Sequence, residues 1–330
     1  DHTFGQSVSG VTPTGQTYLC LTTGTTCPTS GSTGGNTIDP RIVTPAGGTG
    51  TNTSCPAGTF PCYGRAVPCG TRFATVTNTA DGLAQFGAYP WQAYLRNTTN
   101  TFAGSGVLLD AFHVLTAAHK VYRNQANPQA ITVLMGVWNP SNLVNVQSST
   151  VSRITIPSNF NASLLTNDIA ILTLTQPIVL GLYSNINTIC LPAAGSSSTS
   201  YVGQRCVVSG WGQTAFTTFD APTNPQKQVT VTVVPYATCR QSFSQANLLG
   251  TNVDRYLDPN GEICAGGESM KDACTQDGGS PLVCPGATGT FSLAGLVIWG
   301  KNCGMPGVYG VYVSVPFYLS FIQSNLAATG

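Results

Sequence analysis

The chain has 330 residues, of which only 8% are charged, and its formal net charge is +1. A typical soluble domain is about 25% charged, so this surface is carried by Thr, Ser, Asn and Gln, and no strong field points to nucleic acid or an anionic membrane. Twelve cysteines without a C-x-x-C pair, and three scattered histidines (His2, His113, His119), favour disulfides in an oxidising compartment over a metal site, and there is no apolar run of the ~20 residues that a membrane span needs.

The chain opens "DHTFGQSVSG", with neither a basic start nor an apolar stretch. It reads as a mature chain whose signal peptide is already gone. Residues 1–68 are Gly/Thr/Ser-rich, as in "TTGTTCPTSGSTGGNT" and "TPAGGTGTNTSCPAG". With so few apolar side chains, this segment is expected to be disordered or an irregular, disulfide-stapled module. Cys20, Cys27, Cys55 and Cys62 lie within it, and four cysteines allow three pairings. Asn52, Asn97 and Asn161 each open an N-x-S/T sequon, a glycosylation candidate if the chain is secreted.

The pattern changes at "AQFGAYPWQAYL". Short apolar runs follow: "SGVLLDAFHVLTAAH", "ITVLMGVW", "DIAILTL", "RCVVSGWG", "KQVTVTVVP", "FSLAGLVIWG" and "GVYGVYVSV". They are rich in Val, Ile and Thr and lie close to Gly, Pro or Asn, which predicts an all-β barrel or sandwich. The last stretch, "VPFYLSFIQSNL", places Val315, Leu319 and Ile322 at helical spacing, predicting one terminal helix against the β structure.

Three motifs carry chemistry. "LTAAHK" holds His119, "NDIAILTL" holds Asp168, and "DACTQDGGSPL" follows them. The order His, Asp, nucleophile is one of the arrangements used for acyl transfer. With "YPWQ", "VVSGWG", "VIWG" and "PGVYGVYVSV", these motifs resemble the chymotrypsin-like (S1) serine proteases from about Cys69 to the end. The resemblance implies two six-stranded antiparallel β-barrels with a C-terminal helix. It divides the chain into an N-terminal segment (1–68), a linker (69–83) and a protease-like domain (84–330). It also implies the disulfides Cys69–Cys190, Cys206–Cys284, Cys239–Cys264 and Cys274–Cys303. The first of these ties linker to barrel, so a cut between module and barrel is expected to leave the two joined.

The resemblance also locates a loss. The active family loop reads Cys-x-Gly-Asp-Ser-Gly-Gly-Pro, whereas here Cys274-Thr275-Gln276-Asp277-Gly278-Gly279-Ser280-Pro281 stands in its place. Counted from either end, the nucleophile position is Gly278, which has no side chain to attack with. Ser280 lies two residues on, several ångströms away, while productive geometry tolerates roughly 1 Å. Gln276 replaces the glycine that donates to the oxyanion. The stretch "NTADGLAQFGAYPWQ" has no basic residue followed by Ile-Val, so Asp277 lacks the ammonium that pairs with it in active relatives. Lys120 and Gly104 stand where the family places one further disulfide. His119, Asp168 and Gly278 therefore form a degenerate triad, and Asp272, with Gly300 and Gly307 as walls, marks a vestigial pocket for a Lys or Arg side chain.

The whole pattern is similar to the secreted, clip-type serine protease homologues of arthropods in which the serine is glycine. Four N-terminal cysteines fall short of the six of a full clip domain, so a reduced clip-like module is expected. The resemblance implies no cofactor and no metal. It implies an adaptor or cofactor whose partners are other extracellular proteins: protease-cascade components, phenoloxidase or matrix. The alternatives are a structural component of a secretion such as cuticle, eggshell or silk, for which low charge favours association, and a residual trypsin-like hydrolase.

Overall fold

The computed structural model describes residues 8–13, 16–22, 25–28, 55–212, 225–274 and 277–327. His2, Asn52, Thr275 and Gln276 lie outside the described residues.

Three antiparallel strands come first: β1 (Ser9–Val11), β2 (Thr17–Thr22) and β3 (Thr59–Tyr63). This is more regular than the composition implied. "TYLCLT" is a good strand sequence, and "TFPCY" pairs with it, Leu19 opposite Cys62. Cys20–Cys55 and Cys27–Cys62 staple the sheet. It docks through Leu19 and Cys62 against Val179 and Leu182, with Ser9 Oγ donating to the Pro177 carbonyl at 2.7 Å and the Arg65 N–H to that of Leu180 at 3.1 Å. Both module disulfides close within the module. A cut between Cys62 and Cys69 therefore breaks the covalent link, contrary to the expectation from Cys69–Cys190 alone.

Next comes β4 (Gly82–Leu83), then β5 (Gln92–Arg96), β6 (Phe102–Leu108), β7 (His113–Thr116), β8 (Thr132–Met135), β9 (Gln147–Thr155) and β10 (Ala170–Leu174). The last six close into a barrel in the order β10-β7-β6-β5-β8-β9. Leu95, Leu108, Val114, Val133, Val151 and Leu172 fill it. Alternation along β9 turns Gln147, Ser149 and Val151 inward. Gln147 is satisfied there by bonds to both the N–H and the carbonyl of Val179, each 2.8 Å, as a buried amide must be.

A second ring comprises β11 (Arg205–Gly210), β12 (Lys227–Val234), β13 (Glu262–Gly266), β14 (Pro281–Pro285), β15 (Phe291–Trp299) and β16 (Tyr309–Ser314). Its order is β11-β14-β15-β16-β13-β12, closed by β11–β12 pairing, with β4 added along β12. Closure removes exposed sheet edges. Val208, Val231, Ile263, Leu282 and Tyr312 lie in its core. Trp91, Leu115, Ile171, Leu293 and Val311 belong to a further cluster that joins elements of both barrels. Short helices α1 (Ala118–Val121), α2 (Tyr236–Phe243) and α3 (Val253–Tyr256) decorate the connections, and α4 (Leu319–Ala327) is the terminal helix, burying Leu319 and Ile322.

Cys69–Cys190, Cys206–Cys284, Cys239–Cys264 and Cys274–Cys303 are bonded. The segment before the first barrel is well anchored. Arg72 stacks between Tyr89 and Phe291, its guanidinium carbon 4.9 and 4.2 Å from the ring centroids. Asp81 accepts from the Thr230 N–H at 2.8 Å and pairs with Lys271 at 3.2 Å.

Candidate functional site

The site lies where the two barrels meet. Strand β7 runs into α1, which carries His119 and Lys120, and the turn before β10 carries Asp168. Asp168 is fully buried. Its Oδ1 accepts the backbone N–H of His119 at 2.7 Å and its Oδ2 faces His119 Nδ1 at 2.6 Å. One carboxylate thus holds His119 at two points, backbone and ring, the orienting half of a charge-assisted acid–base pair.

Gly278 faces the other ring nitrogen. A Cβ built on it would lie 2.6 Å from His119 Nε2, and closer still to Lys120 Cε. The space that a side chain at 278 would need is therefore already taken by two others. Gly279 follows at φ +83°, where a Cβ would collide with the Ser105 carbonyl, so the turn requires glycine. Ser280 is completely buried, and its Oγ has no hydrogen-bond partner among the described residues. That Oγ points at Gly210, where a Cβ would approach it to 2.8 Å. The structure does not bring Ser280 to His119.

Asp277 accepts the N–H groups of Gly212 and Cys274, each at 2.9 Å. Glycine at 210 and 212 leaves room for its carboxylate, since a Cβ at either would strike it. Burial pushes Asp277 up to about 6, and these two N–H bonds hold it down from going further. With no ammonium fastened to it among the described residues, this carboxylate is satisfied by backbone donors.

Asp272 has one carboxylate oxygen 3.2 Å from the Gly304 N–H, and the other has no hydrogen-bond partner among the described residues. Burial pushes it up to about 7, against the pull of the Gly304 and Ala273 N–H groups. Gly310 stands against it, and Gly307 borders open space. A Cβ at Gly310 would lie 2.8 Å from Asp272 Oδ1 and 3.1 Å from the Tyr312 hydroxyl, whereas one at Gly307 meets nothing within 4 Å. Gly300 faces Gly310 from the other side, a Cβ there pointing at the Gly310 Cα 3.9 Å away.

A cavity of about 150 Å³ is lined by His119, Lys120, Ala273, Gly278, Trp299 and Gly300 among others, and Asp272 adjoins its lining residue Ala273. Trp299 donates from Nε1 to Glu262 at 3.1 Å, and burial pushes the Glu262 carboxyl up to about 8. Neither Lys120 nor Glu262 was singled out from sequence as part of a site. Lys120 was noted only as a lost cysteine, and the sequence carries no signal for where its ammonium goes. Among the described residues no cluster of His, Cys, Asp and Glu could hold a metal ion, and no helix is long and apolar enough to cross a membrane.

Two closed barrels with a His–Asp pair at their junction define a chymotrypsin-like protein. The trypsin family model matches residues 82–322, and the chain belongs to that family. It is 39% identical to inactive CLIP domain-containing serine protease A3 of Aedes aegypti, over 95% of this chain and 68% of that protein. It is 33% identical to phenoloxidase-activating factor 2 of Galleria mellonella, over 76% and 84% of the two chains. Trypsin-1 of Astacus astacus is 34% identical over 73% of this chain and 97% of its own. Within the family, these likenesses place the chain with the non-catalytic, clip-type protease homologues.

Proposed function

We propose that this chain is a secreted pseudoprotease that binds other extracellular proteins as an adaptor or cofactor in a protease cascade of the phenoloxidase-activating kind. The observation that carries the reading is Gly278 opposite His119 Nε2. An acyl transfer needs a hydroxyl within about 2.6–3.2 Å of the base, and the only serine of that loop points into the second barrel. The names of the relatives, which include inactive proteases and a phenoloxidase-activating factor, support the cascade role. Six disulfides support an oxidising compartment. Asn97 and Asn161 are exposed, as glycan acceptors must be. The Asp272 pocket is read as retained for a basic side chain, and the His119–Asp168 pair as a retained structural bond. The low charge of the chain also suits an insoluble secretion. A native pull-down from the tissue of origin separates the readings. Recovery of a protease or a phenoloxidase supports the adaptor; recovery of fibrous proteins instead would replace it with the structural reading.

A further inference from the structure

Among the described residues, neither Lys120, in the cavity wall, nor Asp272, next to its lining residue Ala273, has an ion-pair partner. Lys120 leaves α1 and lays its stem over Gly104, where a Cβ would lie 3.1 Å from both Lys120 Cγ and Cδ. The lysine chain thus packs where the resemblance places a disulfide, and its end turns toward Gly278 and His119 in the wall of the cavity. The two carboxylates that influence it are engaged elsewhere, Asp168 with His119 and Asp277 with Gly212 and Cys274. Among the described residues no carboxylate lies within ion-pair distance of the Lys120 ammonium. Burial weakens its hold on the proton, as expected of a cation taken from water without a partner. Next to Ala273, which lines the cavity, Asp272 keeps one carboxylate oxygen without a hydrogen bond among the described residues. Buried charges are costly unless paired, so the cleft is complementary to a ligand that carries both signs close together.

We propose that the cleft captures the free C-terminus of a protein chain ending in arginine or lysine, the terminal carboxylate meeting Lys120 and the basic side chain meeting Asp272. Such ends are what a trypsin-like cut leaves behind. An uncleaved segment offers a neutral peptide group at the same place and forgoes the charge-assisted bond to the ammonium, which is roughly twice as strong as a neutral one. The site would then tell cut from uncut partner, and it would do so through the residues that no longer cut. This rests on the adaptor reading above and adds the chemical class of its ligand.

The test uses fluorescent peptides ending in Arg as the free acid, Arg as the amide, and Ala as the free acid. Their binding to the intact protein, to Lys120→Met and to Asp272→Asn is measured by anisotropy, with thermal melts to show that each variant folds. The expected result is a preference of about tenfold or more for the Arg acid over the Arg amide, abolished in Lys120→Met. That variant is expected to keep the preference for Arg over Ala, which Asp272→Asn loses. Equal binding of acid and amide by the unaltered protein, no binding of either, or an acid preference that survives Lys120→Met would overturn the proposal. If Lys120→Met still recovers the same cascade proteins in a pull-down, the adaptor reading stands and the C-terminal capture alone falls.

Discussion

His119 Nε2 faces the Cα of Gly278 so closely that a single added carbon would lie 2.6 Å from the ring nitrogen. This relationship makes the loss of the hydroxyl more than a one-residue change. The end of Lys120 and the His119 ring stand where a side chain at 278 would go, so Gly278→Ser crowds them. Such changes cost about 1–3 kcal/mol, or several degrees in Tm for a domain of this size. Gly278→Ser is expected to lower Tm and to leave hydrolysis of arginine esters undetectable. Shortening the lysine in Gly278→Ser/Lys120→Ala is expected to return part of the lost Tm. Differential scanning fluorimetry with an ester assay checks both; an unchanged Tm in the single variant would show that the space is not occupied.

Ser280 is the residue that would have to rescue catalysis, and its setting argues for a test by deletion. Its Oγ is buried with no partner. A buried hydroxyl without a hydrogen bond is a cost rather than a gain. Ser280→Ala is expected to leave stability unchanged or raise it by no more than about 1 kcal/mol, read as an unchanged or higher Tm. A marked loss of stability would mean that the hydroxyl has a bond not seen here.

How much of this could be read beforehand varies with the feature. Strands of the barrels were legible because Val, Ile and Thr runs between turn residues need no knowledge of partners. The site motifs were legible because each is local: "LTAAHK", "NDIAILTL" and the loop around Gly278 keep their spacing. The N-terminal sheet was not, since its pairing joins Thr17–Thr22 to Thr59–Tyr63 across a long Gly/Thr-rich stretch, and non-local pairing leaves no periodic trace. The contact of Gly310 with Asp272 was not legible, because it depends on how β16 pairs with its neighbours. Lys120 was missed because the direction of a side chain is a tertiary fact.

Proteolysis tests the new disulfide map. Arg65 is exposed, while Arg72 is held between two aromatic rings. Limited trypsin treatment is expected to cut after Arg65 before Arg72. Because Cys20–Cys55 and Cys27–Cys62 are internal to the module, the fragment beginning at residue 66 should separate on a denaturing gel without reductant. Separation that requires reductant would place the cut after Cys69 or the bridges elsewhere.

Stability should depend on pH through Glu262. Its carboxyl is buried against Trp299 and the Asp258 N–H and is pushed up to about 8, from an ordinary value of 4.5. The folded state therefore binds a proton that the unfolded state has already lost across this interval. Stability is greatest below about pH 4.5 as far as this group is concerned, and falls as pH rises through about 8, by at most on the order of 5 kcal/mol. Asp272 and Asp277, raised to about 7 and about 6, act in the same direction. Tm measured from pH 5 to 8.5 is expected to decline, and Glu262→Gln, which cannot ionise, to flatten much of the slope. A Tm that rises with pH over this range would contradict the assignment.

The central claim is that no group in this cleft can form an acyl bond. An arginine-type phosphonate that labels active trypsin to completion, applied to the intact protein and read by intact mass, addresses it directly. An empty nucleophile position gives no adduct at any incubation time. A stoichiometric adduct, on Ser280 or any other residue of the cleft, would mean that the protein is an enzyme after all.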